Sequence, residues 1–371
     1  MKKIFGLFIF LILLFGFLRP VYAQNKQNIP SEPTQNYYKG TVVKVIKEGI
    51  TKDSDKKFFQ ILDIKITEGK EAGHEFQTEF DTNYKIGDKT SFKVNDTVVV
   101  LESTDYKGKT TYSLWEKYRL NSVYYIALAF FAMILIFAGF KGFGSLVGMG
   151  VSLLVLLKFI VPQILSGADP LLISIIGSLF ILSTTIYLAH GVSKKTSVAV
   201  FSTLLTLVVT AFLSLVFVRI LGLSGLGDEN NYLLQMGNLS INPQGLLLGG
   251  IIIGALGVLE DTTTTQSAAI FELAKSNSKL TTPDLFKKGY SIGREHIVAL
   301  VNTLVLAYAG AALSLFVIFI LNPTHSPAWV ILNSEMVIEE VIRTIAGSMG
   351  LILAVPITTL IASYLAVKKS S

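Results

Sequence analysis

Seven apolar runs fill the last two thirds of the chain, near residues 122–140, 144–163, 170–189, 198–221, 245–267, 297–321 and 338–366. A helix rises 1.5 Å per residue and a bilayer's hydrocarbon is about 30 Å thick, so each run is long enough to cross. Within hydrocarbon the backbone must satisfy its own hydrogen bonds, which leaves a lone apolar run little choice but helix. The expectation is an α-helical polytopic membrane protein with seven transmembrane helices.

Charge divides the chain in the same place. Residues 24–121 carry 16 Lys/Arg and 15 Asp/Glu among 98 positions, about 32%, whereas residues 122–371 carry 13 and 11 among 250, about 10%. The first value suits a solvated domain and the second does not. Residues 1–23 read as a secretory signal peptide: Lys2-Lys3, an apolar run from Ile4 to Leu18, then Val21-Tyr22-Ala23 before Gln24. An uncleaved anchor is the alternative, and either one exports the segment from Gln24 to Asn121. The chain has no cysteine, which excludes disulfides, thiol nucleophiles and thiolate metal sites.

Residues 24–36 are rich in Asn, Gln and Pro and read as a flexible tether. From 37 to 120, short alternating runs follow: Gly40–Ile46, Phe58–Thr67, Glu75–Phe80, Thr90–Val94, Thr97–Leu101 and Thr110–Trp115. Turn signals such as Glu68-Gly69 and Asn95-Asp96 separate them. This spacing predicts an exported small all-β domain, an OB-like barrel of five or six strands. Its aromatics Phe58, Phe59, Phe76, Phe80 and Phe92 fit a core better than a ligand platform. With charge nearly balanced, nucleic acid is not expected as a partner.

The loops of the remaining domain, 121–371, orient it. With the β domain outside, ten basic residues fall on inner connections and the tail: Lys141, Lys194, Lys195, Lys275, Lys279, Lys287, Lys288, Arg294, Lys368 and Lys369. The outer connections 161–169, 222–244 and 322–337 hold none. By the positive-inside rule, the protein is expected in the cell membrane with its mature N-terminus and β domain extracytoplasmic and its C-terminus cytoplasmic.

The least comfortable residues for hydrocarbon are Glu260 and Asp261 in span five, followed by Thr262 to Thr265. Intramembrane carboxylates usually face a bundle interior or a wet cavity. Two geometries stay open. In one, an unbroken helix turns Asp261 inward with Thr264 and Thr265 on its side; in the other, span five breaks at Asp261, which caps a new helix. A third reading ends span five at Glu260 and lays 262–276 at the surface. The opposing wall is expected from span six, through Arg294, Asn302, Thr303 and Tyr308. Before it, Thr282 as N-cap, Pro283 and a stop at Gly289 predict a short basic elbow. In span seven, Glu339 and Arg343 are spaced for an i, i+4 pair, and Pro356 predicts a kink.

No chemistry-bearing motif survives inspection. Gly225-Leu226-Gly227-Asp228 has the GxGD form of intramembrane aspartyl proteases, but it lies in an outer polar loop without a second catalytic aspartate. There is no GxSxG with a partner His and no Walker lysine loop, so no enzyme activity, catalytic residue or cofactor is expected. Four single histidines give no zinc spacing, and the sequence names no other metal.

Spans five and six resemble the YibE/F-like family of bacterial multi-pass membrane proteins. The likeness rests on Gly254-Ala255-Leu256-Gly257 with Asp261, then Gly289, Gly293-Arg294, Asn302-Thr303-Leu304 and Ala307-Tyr308-Ala309-Gly310. Glu295 departs from the aspartate expected after Gly-Arg. The resemblance implies the architecture and selects no activity. Two functions lead: a permease or ion-coupled transporter with its polar site at Asp261, and a non-transporting envelope scaffold or sensor whose β domain binds an envelope protein. A membrane-embedded enzyme is a third and weaker reading, lacking a nucleophile–base pair. Besides the lipid bilayer, a second copy or a paralogous membrane protein is a candidate partner.

Overall fold

Strand β2 (Lys57–Ile66) shows why the N-terminal domain closes on a core. Its residues alternate, with Phe58, Gln60, Leu62, Ile64 and Ile66 buried and their neighbours more exposed, as a period of two requires. In the computed structural model, β1 (Thr34–Ile50), β2, β3 (Glu75–Asn83), β4 (Thr97–Thr104) and β5 (Thr110–Lys117) form one antiparallel sheet in the order β3-β2-β1-β4-β5. The structure describes residues 34–51, 57–83, 91–105, 108–227, 229–236, 241–322 and 325–367. The signal peptide, most of the tether, and Lys368 and Lys369 lie outside them.

The central strand β1 shifts register at Val42/Lys44 and Val45/Lys47. Such irregularities bend a strand, and the sheet curls into a half-barrel whose edges β3 and β5 meet through Phe76 and Tyr112, 5.5 Å between ring centroids. Val42, Leu62, Ile64, Ile66, Phe92, Val98 and Val100 fill it. Gly40 lies where a Cβ would come within 2.9 Å of both Ile64 and Val100. The expected run at Thr90–Val94 is no strand in its described part, 91–94. Instead Phe92 drops into the core, and the fully buried Gln60 holds its backbone: Phe92 N–H donates to Oε1 (2.8 Å) and Nε2 donates to Phe92 O (3.1 Å). Strand β1 also begins at Thr34, inside the expected tether.

The chain divides into two units at Met133/Ile134, within helix α1 (Leu120–Val155). Within α1, Gly139 adopts φ 56°, ψ −140°, a conformation only glycine takes without strain. It separates the stretches Leu120–Phe140 and Gly142–Leu165, each long and apolar enough to cross a membrane. The second ends in a π turn, Leu156–Ile160, and α2 (Val161–Leu165). The wide turn precedes Pro162, whose ring would strike the Lys158 carbonyl in a regular α turn.

Then follow α3 (Pro170–His190), α4 (Lys194–Leu221), α5 (Glu229–Met236), α6 (Pro243–Ser276), α7 (Thr282–Ala311), α8 (Leu313–Leu321), α9 (Ala328–Leu332) and α10 (Glu335–Ala366). The sequence punctuates them. Asp169, Ser193, Asn242 and Thr281 each cap a helix by accepting a backbone N–H, and prolines follow in the first turns of α3, α6 and α7. Six helices meet the length and hydropathy of a membrane span among the described residues, and α7 with α8 makes a seventh if their 63° bend lies within one span.

Several local expectations are corrected. Helix α6 is unbroken from Pro243 to Ser276, so it neither breaks at Asp261 nor ends at Glu260. The cap of α7 is Thr281, not Thr282, and the helix does not stop at Gly289 but runs on to Ala311. Gly289 is a crossing point instead, where a Cβ would lie 2.8 Å from Ile270. The break in span six comes at Ala312, which no sequence signal marked. Pro356, where a kink is expected, lies inside helix α10.

Candidate functional site

Helix α6 is the axis of the membrane domain, and each of its faces has a different neighbour. It packs along α3, α4 and α10, while α7 lies chiefly against α10. Span six, expected as the opposing wall, meets α6 at Gly289 and Tyr308 rather than along its length. Toward α3, the Thr185 hydroxyl donates to Glu260 Oε1 at 2.7 Å. Toward α4, Thr203 and Thr263 share a hydrogen bond of 2.5 Å, and Ser267 donates to Lys195 O at 2.8 Å. Toward α10 and α7, the buried Gln266 Nε2 donates to Thr359 Oγ1 and to Gly289 O, both at 2.8 Å. One amide thus ties three helices.

This interior is rich in hydroxyls: Ser202, Thr203, Thr206, Thr210, Ser214, Thr262, Thr263, Ser267, Thr358, Thr359 and Ser363 are all buried. Many donate to the carbonyl four residues earlier in their own helix, as Thr206 does to Ser202, Thr210 to Thr206 and Ser214 to Thr210. Small residues with internally satisfied hydroxyls let helices approach closely in lipid. At Gly350 a Cβ would overlap Thr210.

The fourth face of α6 is open. Gly254, Gly257, Asp261 and Thr265 are exposed on it, and Gly250 is half-exposed. Steps of three and four residues keep them on one side of a helix. Arg343 of α10 and Tyr308 of α7 reach over this strip: a Cβ at Gly250 would meet Arg343 Nη1 at 3.2 Å, and one at Gly254 the Tyr308 hydroxyl at 3.0 Å. At Gly257 a Cβ would meet nothing within 4 Å. Three glycines therefore clear a strip that bears a guanidinium, a phenol and, at its far end, a carboxylate. Asp261 lies 18 residues from Pro243 and 15 from Ser276, so about 27 and 22 Å from the helix ends at 1.5 Å per residue.

The structure redistributes the residues singled out from sequence. Asp261 is exposed, and Glu260 is the carboxylate turned into the bundle. Thr264 is half-buried, with a buried hydroxyl that has no hydrogen-bond partner, and Thr265 is exposed one turn beyond Asp261. Arg294, Asn302 and Thr303 are exposed on α7, where Thr303 donates to Ala299 O at 3.0 Å. Of the α7 candidates, only Tyr308 is brought to the strip. Arg343, which sequence reasoning placed in an outer pair with Glu339, belongs to the strip and pairs with Glu340 at 3.2 Å.

Glu339 is buried for another purpose. It accepts the Gly227 N–H at 3.0 Å, while Glu335 accepts N–H groups of Ser224 and Gly225 and the Ser224 hydroxyl. The GxG segment is thus a backbone nest for two carboxylates of α10. Gly225 takes φ 85°, and a Cβ at Gly227 would lie 2.9 Å from the Glu339 carboxyl carbon. Among the described residues, no three His, Cys, Asp or Glu side chains gather as a metal would need.

A family model described as YibE/F-like protein matches residues 126–368. No curated protein and no solved structure matches the chain.

Proposed function

This chain belongs to the YibE/F-like protein family, and we propose that it is a permease or ion-coupled transporter whose polar site is the glycine-floored groove of α6. The observation that carries this reading is Asp261, a carboxylate exposed near the middle of a membrane-length helix, at the end of a strip cleared of side chains. An aspartate facing lipid at that depth is costly, and water or a cation in the groove relieves the cost. Asp261 is the cation- or proton-binding group, Tyr308 a hydrogen-bonding group, and Arg343 the cationic end. Glu260, held by Thr185, flanks the site on the bundle side. The reading needs no covalent step. The β domain is extracytoplasmic in it, as the signal and the basic loops imply.

The test is flux in vesicles reconstituted with the full chain. Proton, sodium, potassium and divalent cation flux through the wild type is compared with Asp261→Asn. A carboxylate-dependent flux is expected; if none of these fluxes depends on Asp261, the reading is wrong.

A second reading has its own observation. Tyr37 and Trp115 are both more than half exposed on the β domain and make an edge-to-face pair 5.8 Å apart, beside a cavity of ≈ 620 Å³ lined by Asn36, Lys39, Lys70 and Tyr118. Exposed aromatics with polar neighbours suit a binding surface, which a scaffold or sensor would use. Crosslinking from Tyr37 in cells recovers a discrete envelope partner on that reading and none on the first.

A further inference from the structure

At the end of the bundle where α4 begins and α6 and α10 finish, Lys194, Lys195 and Lys275 converge on a cavity of ≈ 490 Å³. We infer that this cavity holds a phosphate ester, the headgroup of an anionic phospholipid. Three observations lead there. First, its charge is one-sided: three lysines face a single acid, Glu272, and none of the four has an ion-pair partner among the described residues. Lysines left unpaired around one concavity attract a multiply hydrogen-bonding anion.

Second, the cavity is amphipathic. Phe271, Leu280 and the fully buried Leu285 line it together with the last turn of α10. A free inorganic anion gains nothing from that wall, whereas the glycerol and first methylenes of a lipid do. The volume lies within the range of small-molecule sites.

Third, the depth is right. Helix α6 has 34 residues, about 51 Å at 1.5 Å per residue, against roughly 30 Å of hydrocarbon. Its last turns therefore reach the headgroup layer, and Phe271 and Lys275 are in them. Basic pockets between helix ends at that level are where lipid phosphates lodge. Phosphate oxygens sit among the three ammonium groups, and the acyl ester runs over Phe271. The site is independent of the α6 groove and of whether the protein transports anything.

The test is native mass spectrometry of the full chain in detergent, titrated with phosphatidylglycerol, phosphatidylcholine or inorganic phosphate. Phosphatidylglycerol is expected to half-saturate one site at about tenfold lower concentration than phosphatidylcholine. The triple variant Lys194→Gln, Lys195→Gln, Lys275→Gln loses that preference, and the triple Lys→Arg variant keeps it. Phe271→Ala weakens phosphatidylglycerol while leaving inorganic phosphate unaffected. Equal binding of the two lipids overturns the inference, as does a preference that survives in the Gln variant. Displacement of phosphatidylglycerol by millimolar inorganic phosphate overturns the lipid assignment in favour of the free anion.

Discussion

Gly257 separates a groove that conducts from one that merely exists. A Cβ there meets nothing within 4 Å, so Gly257→Ala introduces no clash. It also removes a mid-helix glycine, which is less favourable than alanine by about 0.8–1.0 kcal/mol. The alanine variant should therefore be as stable as the wild type or up to about 1 kcal/mol more so. Gly257→Leu keeps that backbone gain but projects a branched side chain into the strip between Tyr308, which stands over Gly254, and Asp261, one turn on. If solute or ion passes along this face, the Asp261-dependent flux falls at least about tenfold in the leucine variant, roughly 1.4 kcal/mol of barrier. Thermal unfolding of the same preparations checks the fold. Gly293→Ala is the contrasting control, because a Cβ there overlaps Val355 and lies 2.9 Å from Gln266, so helix packing itself is lost. A folded Gly257→Leu protein with undiminished flux would refute the groove as the path.

Two further predictions concern the β domain. Gln60→Leu leaves the Phe92 N–H and C=O without their buried partners, at about 1–3 kcal/mol per unsatisfied group. Allowing partial relaxation to about 2–4 kcal/mol, hydrogen exchange at Phe92 in the full chain should quicken about 30- to 800-fold; unchanged exchange contradicts the role given to Gln60. Asp96 is subject to burial, which raises its pKa, but the Lys117 ammonium at 2.7 Å and the Lys93 N–H at 2.9 Å hold it below the usual aspartate range. A depressed carboxyl contributes stability above its unfolded value, 3.8, and loses it as pH falls through the lower folded value. Asp96→Asn should thus cost about 0.5–1 kcal/mol at pH 7, Lys117 being well exposed, with wild type and variant converging below about pH 4. Exchange rates of β4 and β5 amides that differ equally at pH 7 and pH 3 would contradict this.

What the sequence made legible was whatever rests on local pattern. Apolar run length located the spans because hydrocarbon imposes it, and alternation located all five strands because a half-buried sheet imposes it. Phe92 escaped because its segment alternates like a strand, while its place was settled by Gln60, distant in sequence. That Glu260 rather than Asp261 turns into the bundle is legible in the helix phase. Ile252, Ala255, Leu259, Thr262, Thr263, Gln266 and Ile270 form one buried stripe, and Asp261 lies opposite its centre. Polar residues in a membrane helix hide this phase, because here Thr and Gln are the core and Gly is the open face. Arg343 joining Tyr308 over α6 and the nest at Ser224–Gly227 are tertiary facts with no local signature. The bend at Ala312 lacks one too, since neither Pro nor Gly stands there.

The hydroxyls along α4 have an electrical consequence. A proton wire needs each member to accept a proton on one side and release another on the opposite side. Thr206, Thr210 and Ser214 each direct their only hydroxyl proton to a carbonyl of their own helix, and a peptide carbonyl has none to pass on. These three hydroxyls are polar yet committed to their own helix, which makes them a poor relay. On the transporter reading proposed above, the path is the strip outside that column, where Asp261 stands.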